Sequence, residues 1–172
     1  MRIDDNDFEL FDIAPRYTQE RAQLDARWKA LQAQVHPDRF AAEGAAAQRV
    51  AMQWAIRVNE AYQRLKDPLK RAAYLCELNG QDLGIENNTA MPAAFLMQQM
   101  AWREALDEAR SATAVEALAD AVSQRQQTLR EALAVLIDER HDWPAAAAQV
   151  RSLMFVGRFA QDVESRLDAL SP

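Results

Sequence analysis

Apolar residues in the first third of the chain recur every three or four positions. Leu24, Trp28, Leu31 and Val35 form one stripe, the pattern of an amphipathic helix with one face on a core. The spacing predicts a helix over 18–35. Pro37 interrupts it, because proline disfavours helical geometry in the residue before it and has no N–H to donate. A second stripe, Ala51, Ala55, Val58, Tyr62 and Leu65, predicts a second helix from Ala41 to Leu65. His36, Pro37 and Asp38 therefore fall at the tip of a helical hairpin, exposed and stiffened by the proline.

Shorter signals flank the hairpin. Phe8, Leu10 and Phe11 predict a short helix over 7–13. Asp67-Pro68 opens another, with Asp67 as a cap and Pro68 suited to the first turn; it runs through Leu75. Asn79-Gly80 is a stop, since both residues tolerate left-handed backbone. The run 81–90, with Gly84 and Asn87-Asn88-Thr89, reads as a connector.

Three more helices are expected beyond it. One runs from Pro92 to Ala109. The next, Ala114 to Arg140, carries Val115, Leu118, Val122, Leu129, Leu133 and Leu136 at helical spacing. Asp142-Trp143-Pro144 restarts the chain for a third, reaching Leu170. Short connections between three helices favour an antiparallel bundle. The expected architecture is all-α, with an N-terminal domain over 1–79 built on the hairpin, a linker over 80–87 and a C-terminal three-helix bundle over 88–172.

Composition agrees with helix throughout. The 172 residues are 49% hydrophobic and 27% charged, with only four glycines and six prolines, and no run of alternating β-branched residues suggests a strand. A single cysteine, Cys76, excludes a disulfide framework; between Leu75 and Leu78 it reads as a small buried hydrophobe. The acidic N-terminus resembles neither a secretory signal nor a transit peptide, and no apolar run approaches the ~20 residues that span a bilayer. A reduced, cytoplasmic protein is expected.

The net charge of −6 is unevenly spread. Residues 1–15 carry five acidic side chains against Arg2, residues 16–74 eleven basic against six acidic, and residues beyond 90 twelve acidic against eight arginines. The basic stretch lacks the density and interleaved aromatics of a nucleic-acid surface. It suits an acidic protein partner, with a plain solvated helix face as the alternative.

Catalytic motifs are missing. His36 and His141 are far apart in sequence, and there is no Gly-rich phosphate loop, HExxH, CxxC or GxSxG. Asp138 and His141 fall three apart on a predicted helix, half of a bundle metal site, but the second pair that a di-iron site needs is absent. The hairpin tip reads as a docking plug instead. A proline-locked loop offers the imidazole of His36 and the carboxylate of Asp38, beside Arg21, Arg27, Lys29 and Arg39. No nucleophile or second base lies near it in sequence.

The helix after Pro92 has two apolar faces. At about 100° per residue, Phe95, Trp102, Leu106 and Ala109 share one side, while Leu96, Met97 and Met100 fall on another with Glu104. Phe155 likewise sits off the stripe of Trp143, Val150 and Leu153. Such a helix is either sandwiched in a core or reserved for a partner.

Residues 8–75 resemble a J-domain, the module by which DnaJ-like co-chaperones engage DnaK-class heat-shock ATPases. The resemblance is carried by His36-Pro37-Asp38-Arg39-Phe40, Asn59-Glu60-Ala61-Tyr62-Gln63-Arg64-Leu65, Asp67-Pro68 and Lys70-Arg71-Ala72-Ala73-Tyr74. It implies that the tripeptide and the basic second helix dock on the ATPase and stimulate hydrolysis there, so that the chain itself is no enzyme and needs no cofactor or metal.

No Gly/Phe-rich linker, zinc cysteines or β-rich client domain follows, unlike a general DnaJ. Phe95-Leu96-Met97-Gln98-Gln99-Met100, Arg103 to Glu108, and Val150 to Phe155 look like the C-terminal domain of the HscB family, J-type co-chaperones of iron–sulfur cluster assembly. That resemblance implies an HscA-like ATPase and an IscU-like scaffold protein as partners, with Leu96, Met97, Met100, Glu104 and Phe155 on the scaffold and neither nucleic acid nor membrane involved. Without an N-terminal zinc extension it points to a bacterial member. Ala101 stands where the family often has an acidic residue. Two rivals accompany this reading: a J-domain protein with another client, and a carboxylate-bundle metalloenzyme using His141.

Overall fold

The computed structural model describes residues 1–2, 4–84 and 91–171; of the expected connector, 85–90 lie outside them. Every regular element among the described residues is helical: α1 (Asp7–Phe11), α2 (Arg21–Val35), α3 (Ala45–Lys66), α4 (Pro68–Leu78), α5 (Ala93–Glu108), α6 (Ala112–Ala134) and α7 (Trp143–Leu170). The chain divides into two compact units at Leu75/Cys76.

In the first unit α2 and α3 form the expected hairpin. Leu24 and Val35 of α2 and Ala51, Val58, Ala61 and Leu65 of α3 are buried, joined by Phe8 and Phe11 of α1. Each of the larger side chains, the Leu, Val and Phe, contributes roughly 1.5–3 kcal/mol when removed from water. A polar seam runs beside this core. Trp28 stacks on Tyr62 with ring centroids 4.8 Å apart, and both its Nε1 and the side-chain amide of Gln32 donate to Asn59 Oδ1, at 2.9 and 2.6 Å.

Two boundaries differ from the sequence expectation. The first helix of the hairpin starts at Arg21, not residue 18, with Glu20 extended before it. The second starts at Ala45, not Ala41, because residues 37–43 wind as a 3-10 helix and Gly44 then breaks the chain at φ +97°. That backbone conformation suits glycine. The caps behave as read. Asp67 Oδ1 accepts from the backbone N–H groups of Leu69 and Lys70 at 2.9 and 3.1 Å, and Gly80 adopts φ +80° after α4.

α1 is only five residues long, too short to persist alone. A capping box holds its start: Asn6 Oδ1 accepts from the Glu9 N–H, and Glu9 reaches back to the Asn6 N–H. Asp7 then anchors it to α3. Its carboxylate has no exposed surface and receives Arg57 Nη1 at 2.7 Å and Arg64 Nη1 at 2.8 Å, while its backbone N–H donates to the Tyr74 hydroxyl at 3.0 Å. Arg71 is also buried, donating to the carbonyls of Tyr17 and Leu65.

The second unit is a helical bundle. α6 and α7 pack antiparallel through Val115, Val122, Leu129 and Leu133 against Ala146, Val150, Leu153, Val156 and Val163. α6 does not continue as α-helix to Arg140. Residues 135–139 widen into a π turn, which leaves Leu136 half-buried and puts Ile137 in the core instead. His141 then leaves the helix at φ +50°, so it does not continue the helical face on which Asp138 was expected to pair with it. Asp142 caps α7, its Oδ1 accepting from the Ala145 N–H at 3.2 Å.

Two measurements check this packing. Asp7→Ala removes the buried anchor between α1 and α3 and leaves Arg57 and Arg64, 25 and 41% exposed, without it; it should cost about 2 kcal/mol in chemical unfolding. Cys76 is fully buried, and burial, followed by the charge of Glu77, pushes its thiol from 9.0 to about 11. The unfolded chain ionises first, so the stability tied to this thiol is complete below pH 9 and lost as pH rises toward 11. Wild type should lose on the order of 2 kcal/mol more than Cys76→Ala across that window; parallel urea curves at each pH would read the difference.

Candidate docking surfaces

The first surface is the tip of the α2–α3 hairpin. His36 closes α2 in extended geometry, φ −61° and ψ 128°, as the residue before a proline must. Its Nδ1 accepts from the Asp38 N–H at 3.3 Å and lies 3.6 Å from Asp38 Oδ2. An accepting Nδ1 places the ring proton of the neutral imidazole on Nε2. Both side chains remain exposed, His36 by 57% and Asp38 by 89%, so neither has a packing role. Pro37 is half-buried beneath them.

The basic residues expected beside this loop differ in what holds them. Arg39 turns back on α2, its Nη1 donating to the Ala33 carbonyl at 2.9 Å, where a positive charge suits the C-terminal end of a helix. Arg21 donates to Asp25 Oδ1 at 2.9 Å and to the Tyr62 hydroxyl at 3.3 Å. The Tyr62 hydroxyl donates to the same carboxylate oxygen. That bond, with the Arg21 guanidinium, lowers the Asp25 pKa, and the hydrogen bond to Asp25, with burial, raises that of Tyr62. Arg27 is paired with Asp12 Oδ2 at 2.9 Å. Lys29 is exposed.

Sequence spacing announces these internal carboxylates unevenly. Arg21 and Asp25, four apart on one helix, carried a signal for their pairing. Asp12 and Arg27, fifteen apart on different elements, carried none. Nor did Arg57, Arg64 and Arg71, counted there as part of a basic stretch, announce that two neutralise Asp7 and the third is buried.

The second surface lies on α5. Its inner side meets the bundle: Phe95 is buried, Trp102 stacks on Phe159 at 5.7 Å, and Arg103 pairs with Asp162 at 3.0 Å. Leu96, Met97 and Met100 are 46, 71 and 72% exposed, with Glu104 exposed beside them. Three large apolar side chains on one helix face with no cover are what a partner site offers. Phe155 is different. It is half-buried, with its ring edge-on to Phe95 at 6.4 Å and the Arg158 guanidinium over it, so it belongs partly to the bundle.

No group of three or more His, Cys, Asp or Glu side chains among the described residues is placed to hold a metal. No helix among them is long and apolar enough to cross a membrane.

Residues 91–164 match the family model described as the HSCB C-terminal oligomerisation domain. The chain is 54% identical over 160 residues to the co-chaperone protein HscB homolog of Bordetella petrii, covering 92% of this chain and 94% of that one. Its fold matches the chaperone HscB from Vibrio cholerae with a TM-score of 0.82 at 33% identity, over 97% of this chain and all (100%) of the other. The human co-chaperone HscB matches with a TM-score of 0.87 at 25% identity, over 98% and 83%.

Exposure on α5 makes a stability prediction that separates surface from core. Replacing Leu96, Met97 and Met100 together by Ala should change unfolding free energy by less than about 1 kcal/mol. Phe155→Ala alone should cost about 2 kcal/mol through lost packing on Phe95. Thermal melts of the two variants would show which side chains the bundle needs.

Proposed function

The chain belongs to the HscB family of co-chaperones, and from that premise we propose a division of labour between its two units. Residues 1–79 act as a J-domain that docks on an HscA-like ATPase of the DnaK class and stimulates ATP hydrolysis there. Residues 88–172 hold an IscU-like scaffold protein, and residues 80–87 link the two. The protein itself does no bond-breaking chemistry; it brings the scaffold and the ATPase together in the cytoplasm of a bacterium.

The observation that carries this reading is a pair of exposed surfaces that packing does not explain. His36 and Asp38 are held by backbone geometry and Pro37, then left in solvent. Leu96, Met97 and Met100 are left uncovered on a helix whose other side packs on the bundle through Phe95 and Trp102. A rigid polar loop fits recognition of a polar cleft, with Arg39 beside it and Lys29, Arg27 and Arg21 supplying positive charge along α2. The α5 face, with Glu104 beside it and Phe155 at its margin, fits an apolar patch rimmed by basic groups.

A steady-state ATPase assay with the DnaK-class partner, with and without the scaffold, tests both surfaces. His36→Gln should abolish stimulation while leaving circular dichroism and scaffold binding unchanged, since the side chain supports no packing. The Leu96, Met97 and Met100 triple alanine variant should keep direct stimulation and lose the scaffold. Interface anchors cost about 2 kcal/mol or more each on truncation, roughly thirtyfold, so a micromolar complex would pass beyond detection. Normal scaffold binding by that variant would place the client surface elsewhere, and normal stimulation by His36→Gln would remove the hairpin tip from docking.

A further inference from the structure

We propose that Asp12 is an internal counter-ion holding Arg27 in reserve, and that docking exchanges its carboxylate for one on the ATPase, so that Asp12 sets how tightly the hairpin binds. This rests on the docking role assigned above to α2. The pair is built to be exchanged. Arg27 Nη2 and Asp12 Oδ2 are 2.9 Å apart, yet the two side chains are 44 and 85% exposed. An ion pair so placed contributes little to stability, little enough for an acidic partner to displace.

Asp12 has no other task for its carboxylate. It sits just past α1 at φ +51°, held there by its backbone N–H bond to Glu9, and among the described residues the carboxylate meets only Arg27. The other acidic neighbour of α2 behaves differently. Asp25 is bound by Arg21 and by the Tyr62 hydroxyl at once, so it cross-links α2 to α3 and cannot leave without loosening the hairpin. On turning outward Arg21 would give up two side-chain partners, Asp25 and the Tyr62 hydroxyl, whereas Arg27 would give up Asp12 alone, held through its carboxylate at 2.9 Å and its backbone carbonyl at 3.5 Å.

Titrating the protein into the ATPase assay tests this. Asp12→Asn keeps size and suits left-handed backbone, and Asp12→Gly is a second variant with the same tolerance. Both should reach the same maximal stimulation as wild type at a half-saturating concentration about two- to fivefold lower, the range an exposed ion pair allows. In an Arg27→Ala background Asp12→Asn should bring no gain. At about 1 M salt, where charges are screened within about 3 Å, wild type and Asp12→Asn should coincide.

A gain that survives in the Arg27→Ala background would mean that Asp12 acts through its own charge, and would overturn the reserve role. So would unchanged half-saturation in both Asp12 variants alongside normal stimulation by wild type. Absence of stimulation by wild type would instead overturn the docking reading, and the role of Asp12 with it.

Discussion

A carboxylate with no exposed surface is costly to bury unless its charge is answered, and in Asp7 it is answered twice, by Arg57 and Arg64. Much of the first unit depends on that arrangement. It fixes a five-residue helix against α3, seats Phe8 on Tyr74 with ring centroids 5.8 Å apart, and brings Phe11 into the core. Asp12 follows directly, and its position beside α2 is what lets it reach Arg27.

Charge in this unit is therefore largely structural. Arg57 and Arg64 serve Asp7, Arg71 serves two carbonyls, Arg39 serves the end of α2, and Arg21 joins Asp25 and Tyr62 across the hairpin. Counting basic side chains along the sequence overstates the positive face available to a partner. Beside α2 and the hairpin tip, what remains is smaller and more directional: exposed Lys29, Arg27 on a weak tether, and a loop carrying His36 and Asp38. Specificity for an ATPase would come from the loop's geometry, with charge steering the approach.

The second unit solves a different packing problem. α6 and α7 already bury each other's apolar stripes, so α5 needs only one narrow side to join them, supplied by Phe95, Trp102 and the Arg103–Asp162 ion pair. Its remaining apolar residues are then surplus to the bundle. Phe155 shows how the two roles meet, since its ring supports Phe95 from α7 while staying half in solvent. An interface that borrows a side chain from the core is stiffened where the partner would press.

Local rules made much of this protein legible before any coordinates. Apolar periodicity gave every long helix, Pro37 gave the end of α2, and Asp67, Asp142 and Gly80 gave caps and stops, because each effect acts within a turn or two of the residue that causes it. Even the outward face of α5 followed from helical angles, although its rotation alone left core and partner as equal choices. Other features depend on residues distant in sequence and could only be decided by packing. They include the π turn that substitutes Ile137 for Leu136, the half-burial of Phe155, and the pairing of Asp7 and Asp12 with arginines on other helices. The sequence determined which segments are helical and how they turn their apolar sides. Only the tertiary structure decided which charges and which apolar residues were left over for a partner, because that remainder is set by what each helix meets across space.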